Sequence, residues 1–260
     1  MSGHDDTVRR EFAKQAATFE DPSYSFADQR LLAWILEHVP PERDAAVLDV
    51  AGGTGHVARV YAPSAAVAVV LDLTREMVAI GRDEAAAASL GNVVYVLGDA
   101  ARMPFPDDSF DLVVSRFAIH HFEKPARQIH EMVRVCRPGG RVAIIDLVAA
   151  DAALAERHDR LETMRDPSHM HALPVDELKR LLEEAGAAVG HETAHDQTLS
   201  VARWLAQAQT PTDTGEAIRA ELEAELEGGQ ASGVRPQLVE GDLHLTHRYA
   251  IVVAQKGGSG

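Results

Sequence analysis

The chain has 260 residues, 46% hydrophobic and 25% charged, and its 40 acidic against 25 basic side chains give a formal net charge of −15. This composition suits a folded chain that buries a sizeable core, and the acidic excess argues against nucleic acid, whose phosphates require clustered Lys and Arg. No apolar run reaches the roughly 18 residues of a membrane span, the single cysteine, Cys136, leaves no intramolecular disulfide, and the polar opening MSGHDDTVRREF lacks a signal-peptide core; a cytoplasmic protein with no membrane partner is expected.

RLLAWILEHV places Leu31, Leu32, Ile35, Leu36 and Val39 at helical spacing, and the prolines at 40–41 stop it. Strand-like runs follow at 47–51, 67–72, 93–98, 110–115 and 140–146. Between them one helix is predicted from an N-cap at Thr74 to just before Gly91, and another over 126–137 that buries Ile129, Met132, Val133 and Cys136. The strand runs are continuously apolar rather than alternating, as parallel strands covered on both faces require. Strand–helix alternation at this spacing predicts a doubly wound α/β sheet, with ligands bound beyond the carboxyl ends of its strands.

After residue 150 the pattern loosens. Helices are predicted over 151–165, with Leu154, His158, Leu161 and Arg165 on one stripe, over 175–186, stopped by Gly186, and over 213–227, with Ile218, Leu222 and Leu226 along one side. LTHRYAIVVAQ, 245–255, reads as a last strand, flanked by His244 and His247, to which no role is given. Residues 257–260, GGSG, read as a flexible tail.

The informative stretch is VLDVAGGTGHVARV, residues 47–60: a strand, a glycine bend and a helix. Glycine lets the backbone turn sharply and lets a ligand touch it, which is the logic of a nucleotide-cofactor loop. Gly53-x-Gly55-x-x-Ala58 also fits the loose dinucleotide pattern, so an NAD(P)-dependent oxidoreductase is one reading. Asp72 ends the next strand, roughly 20 residues on, where an acid suits a ribose hydroxyl pair; it would equally serve as a cap for the helix after Thr74. Asp99 ends the third strand, placed either to accept from an adenine amino group or to form a turn.

Together VLDVAGGTG, VVLDLTREMV, LGDAARMPFPDDSFDLVVSRFAIHHF and RVCRPGGRVAIID resemble the successive motifs of class I S-adenosylmethionine-dependent methyltransferases, nearest to the ubiquinone/menaquinone-biosynthesis type. The resemblance covers about residues 8–190. It implies a Rossmann-like, mostly parallel seven-stranded sheet with helical lid elements. On this reading residues 1–40 form an N-terminal cap, 45–150 the cofactor-binding core, 151–240 substrate-side helices and lid, and 244–256 the last strand of one domain. Asp49 and the loop Ala51, Gly52, Gly53, Thr54, Gly55 would hold the methionyl end and pass close to the sugar. Asp72 would bind the ribose, Leu73 and Met77 would line the adenine, Asp99 and Ala100 would read its edge, and Ser115 would contact the methionine. Gln15 and Tyr24 would close over that end from the cap. The family often has glycine where Ala51 stands.

Methyl transfer from a sulfonium is an in-line displacement that chiefly needs alignment and a dry site. Where the acceptor must lose a proton, histidine is the suitable base. His120 is preferred to His121 because it lies nearer the strand end, and Tyr24 is the alternative. Phe19, Phe117, His169 and Trp204 are candidate substrate contacts. No Cys, His, Asp or Glu group has the spacing of a recognised metal site, so no metal is expected. The activity implied is methylation of a small molecule, a secondary metabolite or quinone-like or heteroaromatic acceptor, at carbon, oxygen or ring nitrogen. One version couples indole C-methylation to cyclisation; an alternative is a methyltransferase-like cyclase or pericyclase that keeps the cofactor without transferring its methyl group. A monomer and a homodimer are both compatible with the sequence.

Overall fold

The computed structural model describes residues 3–22 and 27–258. Helix α1 (Gly3–Gln15) and α2 (Gln29–His38) precede β1 (Ala45–Val50), α3 (His56–Tyr61), β2 (Ala65–Asp72), α4 (Arg75–Ala87), β3 (Val93–Leu97) and β4 (Phe110–Arg116). Then come α5 (Pro125–Val135), β5 (Cys136–Val148), α6 (Ala155–Arg165), α7 (Val175–Glu184) and β6 (Ala187–Ser200). The chain closes with α8 (Val201–Gln207), α9 (Thr212–Leu226), β7 (Gln237–Val239) and β8 (Asp242–Lys256).

The strands make one sheet in the order β3-β2-β1-β4-β5-β8-β6, with the short β7 hydrogen-bonded to β8 off that path. Strands β1 to β5 pair in parallel, and β8 runs antiparallel between β5 and β6. The expected mostly parallel sheet is present, with an eighth strand in the β7–β8 hairpin.

Alternate residues of each central strand feed opposite faces. Leu48, Val50, Val113 and Ile144 pack toward α5 and α7 through Ile129, Met132, Leu178 and Leu182. Their neighbours Val47, Val114 and Ile145 meet Leu31, Leu32, Ile35 and Tyr61 of α2 and α3. Each such side chain fully buried stabilises the fold by roughly 1.5–3 kcal/mol before entropy is counted, and the two-sided burial explains why these strands read as continuous apolar runs. A smaller cluster of Leu161, Val201, Trp204, Leu205, Ile218, Leu222 and Leu245 ties α6, α8 and α9 to β8. Leu226, predicted on the same stripe, is exposed instead. No helix among the described residues is long and apolar enough to cross a membrane.

The connections reverse direction between β1 and β4, which pair from Val47↔Leu112 to Asp49↔Val114. Chains leaving the carboxyl ends of these two strands therefore diverge and open a crevice.

Candidate active site at the carboxyl ends of the strands

A cavity of about 480 Å³ fills that crevice. Its walls are the turns after β1 (Asp49, Ala51–Gly53), β2 (Asp72–Thr74), β3 (Gly98–Arg102) and β4 (Arg116–Ala118 and His121–Lys124). Helix α1 closes one side with His4, Asp5, Val8 and Phe12.

The glycine turn is shaped by what lies beneath it. A Cβ on Gly52 would sit 2.6 Å from the Asp49 carboxyl carbon, and one on Gly53, at φ +59°, would sit 2.9 Å from the Phe19 ring. Ala51 also has positive φ, at 51°, and so does Phe117, at 55°, so two side-chain-bearing residues of the cavity wall are held in a strained backbone conformation. Gly53 N–H donates to Asp72 Oδ2 at 2.8 Å and Gly55 N–H to Gly52 O at 2.8 Å. The Thr54 carbonyl accepts from Arg59 Nη1 at 2.5 Å and from the Tyr95 hydroxyl at 3.0 Å. Arg59 is itself anchored by Glu20 at 2.7 Å.

Asp49 is the most unusual group in the wall. Its Oδ2 accepts the Ala58 N–H of α3 at 3.2 Å, while Oδ1 is buried without a hydrogen-bond partner. Burial pushes its pKa up to about 7, against the opposing pull of the Ala58 N–H and the Arg116 charge. Asp72 is likewise raised by burial, although its Oδ1 accepts the Thr74 N–H at 2.8 Å. The N-cap at Thr74 stands, but the bond there comes from Asp72 and not from the threonine side chain. Asp72 therefore braces the glycine turn and the start of α4 with one lone pair of each oxygen, leaving further acceptor capacity. Asp99 Oδ1 accepts the Ala101 N–H at 2.7 Å.

The His pair lies in a single 3-10 turn, Ile119–His121. Three residues per turn point adjacent side chains about 120° apart, so the two imidazoles meet different surroundings. His121 lines the cavity; His120 is not part of its lining. Asp146, near the end of β5, accepts the Ile119 N–H at 2.7 Å and the His120 N–H at 3.3 Å, and pairs with His120 Nδ1. Burial alone would lower the His120 pKa, but the charge and hydrogen bond of Asp146 outweigh it and raise it. His121 Nδ1 lies 2.9 Å from the Ser168 carbonyl, which only accepts, so Nδ1 carries the proton and Nε2 is the basic nitrogen. Burial, with His120 beside it, holds His121 well below the usual histidine pKa.

Of the other expected site residues, Asp49, Ala51, Gly52, Gly53, Asp72, Leu73, Asp99, Ala100, Phe19 and Phe117 line the cavity. Thr54 and Gly55 lie beneath the turn, Thr54 fully buried. Met77 packs behind Phe19 with Ala16. Ser115 is buried with its hydroxyl donating to Val50 O at 3.0 Å, because the side chain faces β1 and not the opening. Gln15 donates to Asp166 Oδ2 at 3.1 Å and is not part of the cavity lining. His169 is turned onto Asp159 at 2.8 Å. Trp204 belongs to the α6–α8–α9 cluster, with the Arg165 guanidinium 5.2 Å above its ring, and is not part of the cavity lining. Tyr24 lies outside the described residues.

Sequence reasoning missed Arg116, a cation at the end of β4 that burial lowers to a pKa of about 10 and that packs 5.2 Å from the Phe117 ring. It also missed His56, which lines the cavity beside Glu20 at 3.1 Å, and the side chains of α1. The cation in SRFA was a usable signal; for α1 the cap was expected, but not which of its side chains reach the cavity.

The profile of the family described as a methyltransferase domain matches residues 48–144, β1 to the middle of β5. YcgJ of Bacillus subtilis (strain 168), an uncharacterized methyltransferase, is 30% identical over 203 residues, 78% of this chain and 80% of that protein. Its crystal structure superposes with a TM-score of 0.79 at 26% identity, covering 88% of this chain and 99% of YcgJ. The ubiquinone/menaquinone biosynthesis C-methyltransferase UbiE of Saccharophagus degradans is 37% identical over 116 residues, 43% of this chain and 46% of UbiE. The [4+2]-cyclase SpnF shares the fold, with a TM-score of 0.65 at 21% identity over 88% of this chain and 82% of SpnF. With its motif-bearing strands matched in order and four fifths of YcgJ aligned, the chain belongs to the class I S-adenosylmethionine-dependent methyltransferases.

Proposed function

We propose that this protein transfers the methyl group of S-adenosylmethionine to a small-molecule acceptor, at a carbon, oxygen or ring nitrogen, in the cavity above β1, β2 and β4. The observation that carries the reading is the buried, unpartnered Oδ1 of Asp49 beside a glycine turn, with Asp72 and Asp99 at the next two strand ends of the same cavity. A buried carboxylate oxygen with no partner is costly and calls for a ligand donor, and the cofactor's ammonium is one. Asp72 would accept from the ribose hydroxyls, Asp99 from the adenine amino group, and Arg116 would face the methionyl carboxylate. When bound, the sulfonium supplies an already activated methyl group, so the chain's own work is to align the acceptor, exclude water and take a proton where one must leave. Phe12, Phe19, Phe117 and Phe122 give the acceptor side an apolar, aromatic wall. His121 Nε2 is the base.

Titration with S-adenosylmethionine, S-adenosylhomocysteine and NADH tests the cofactor: saturable binding of the first two and none of the third is expected, and the reverse would restore the oxidoreductase reading. Because SpnF carries the same fold, the fold alone does not fix methyl transfer. Stoichiometric release of S-adenosylhomocysteine with a turned-over acceptor separates a transferase from a cyclase that leaves the cofactor intact.

A further inference from the structure

Outside the cavity, α6 and β8 bring together His158, Glu162 and His247, all buried, with one donor atom from each lying within 4.8 Å of the others. His158 and Glu162 stand one helical turn apart on α6, and His247 comes from β8. Glu162 Oε1 is 2.8 Å from His247 Nε2 and 3.7 Å from His158 Nε2. Despite these separations, Glu162 Oε1, His247 Nε2 and both nitrogens of His158 have no hydrogen-bond partner of acceptable geometry. The three groups thus crowd together without hydrogen bonds that satisfy them. Donors about 2.0–2.1 Å from a tetrahedral ion lie about 3.3 Å apart, which falls between the two separations.

Two of the three groups also have a partner on the side away from the cluster. Arg165 Nη1 donates to the other carboxylate oxygen, Glu162 Oε2, at 3.2 Å, which leaves Oε1 as the single donor. The Tyr249 hydroxyl lies 3.5 Å from His247 Nδ1, holding the far side of the ring. The Trp204 ring stands edge-on to His247, centroids 6.0 Å apart, and its indole N–H is buried without a partner. Three protein ligands leave a fourth position, which a water molecule fills in sites of this kind.

We propose that His158, Glu162 and His247 form a divalent transition-metal site, selective for zinc among biologically abundant ions, that fastens lid helix α6 to the last strand of the sheet. Two imidazoles and one carboxylate favour zinc and its first-row neighbours over calcium and magnesium, which take oxygen sets. The site is separate from the cofactor cavity, none of whose lining residues it shares, but it backs onto its wall: Tyr249 packs against Phe117 with ring centroids 4.8 Å apart.

The test is equilibrium dialysis of tag-free, chelator-treated protein against Zn²⁺, with Co²⁺ as a spectroscopic probe and thermal melting as a second readout. One tightly held equivalent is expected, with visible d–d absorption of four- or five-coordinate Co²⁺ and a raised melting temperature. His158→Asn and Glu162→Gln should each abolish that equivalent while retaining the circular dichroism of the parent. Thirteen histidines offer other sites, so a His38→Ala, His191→Ala double variant removes the exposed stacked pair and should leave the equivalent intact. Loss of binding in that double variant, its persistence in folded Glu162→Gln, or magnesium binding in place of zinc would overturn the proposal, leaving the trio a buried ion pair.

Discussion

Asp49 makes cofactor binding a proton-linked event. In the unliganded protein its carboxyl sits at a pKa of about 7 because of burial, so at pH 6 about nine-tenths of it is protonated. An ammonium about 4 Å away interacts with the ionised form by about 4 kcal/mol at an effective dielectric of about 20, which would lower the pKa by about three units. Binding at pH 6 should therefore release about 0.9 proton per site, and cofactor affinity should rise about tenfold for each pH unit between 5 and 6.5. Calorimetry in buffers of different ionisation enthalpy counts the proton directly, and this window lies below the titration of an α-amino group at about 7.7–8. Asp49→Asn should bind with no proton release and with affinity reduced by about 10- to 150-fold, since a hydrogen bond to a charged group contributes about 1.5–3 kcal/mol. Absence of proton release from the parent protein, or its persistence in Asp49→Asn, would refute the assignment of the ammonium to this carboxylate.

The same shift sets the stability of the unliganded protein. Asp49 has a folded pKa raised from 3.8 to about 7. Between those values the unfolded chain is ionised while the folded one keeps its proton, so the contribution present below pH 4 is lost as pH rises toward 7. The full change is about 4 kcal/mol. Asp49→Asn should flatten this slope, and bound cofactor should do the same by supplying the missing partner.

The parallel half of the sheet and the two acids flanking the glycine turn were legible because burial on both faces and close backbone approach leave a residue signature. The seven-strand path was not fully legible in its second half. Strand β6, AAVGHETAHDQTLS, is an edge strand, paired among the described residues only with β8, and mostly exposed, so it carries neither an apolar run nor an alternating one. Helices α3 and α8, at 6 and 7 residues, are too short to display a period. Within the site, strand-end residues could be named but not oriented. Ser115 faces β1, and the 3-10 turn puts His121 rather than His120 on the cavity wall, because a one-residue step there is a rotation and not an advance along the strand. The His158–Glu162–His247 trio was invisible for a different reason: one member comes from the far end of the chain, so no local spacing records it.

Three further outcomes test the cavity. Gly53→Val should remain folded by circular dichroism yet lose cofactor binding, because at φ +59° the new side chain collides with the Phe19 ring and strains the turn; normal binding would make the turn purely structural. Gly81→Ala places a Cβ 2.3 Å from Tyr95 and 2.6 Å from the Thr54 carbonyl, so it should cost about 1–3 kcal/mol by overpacking and lower the melting temperature; an unchanged one would mean α4 shifts freely. The base is identified by where activity fails on acidification, since a general base stops working as it becomes protonated. His121 is held well below the usual histidine pKa and His120 is raised above it. An acid limb of kcat below about pH 6.5 that vanishes in His121→Ala, with turnover reduced about 10²- to 10⁴-fold and cofactor affinity retained, is expected. If the limb lies above about pH 6.5 and disappears in His120→Ala instead, the proton passes through the Asp146-paired ring, and the 3-10 turn must rotate toward the acceptor when it binds.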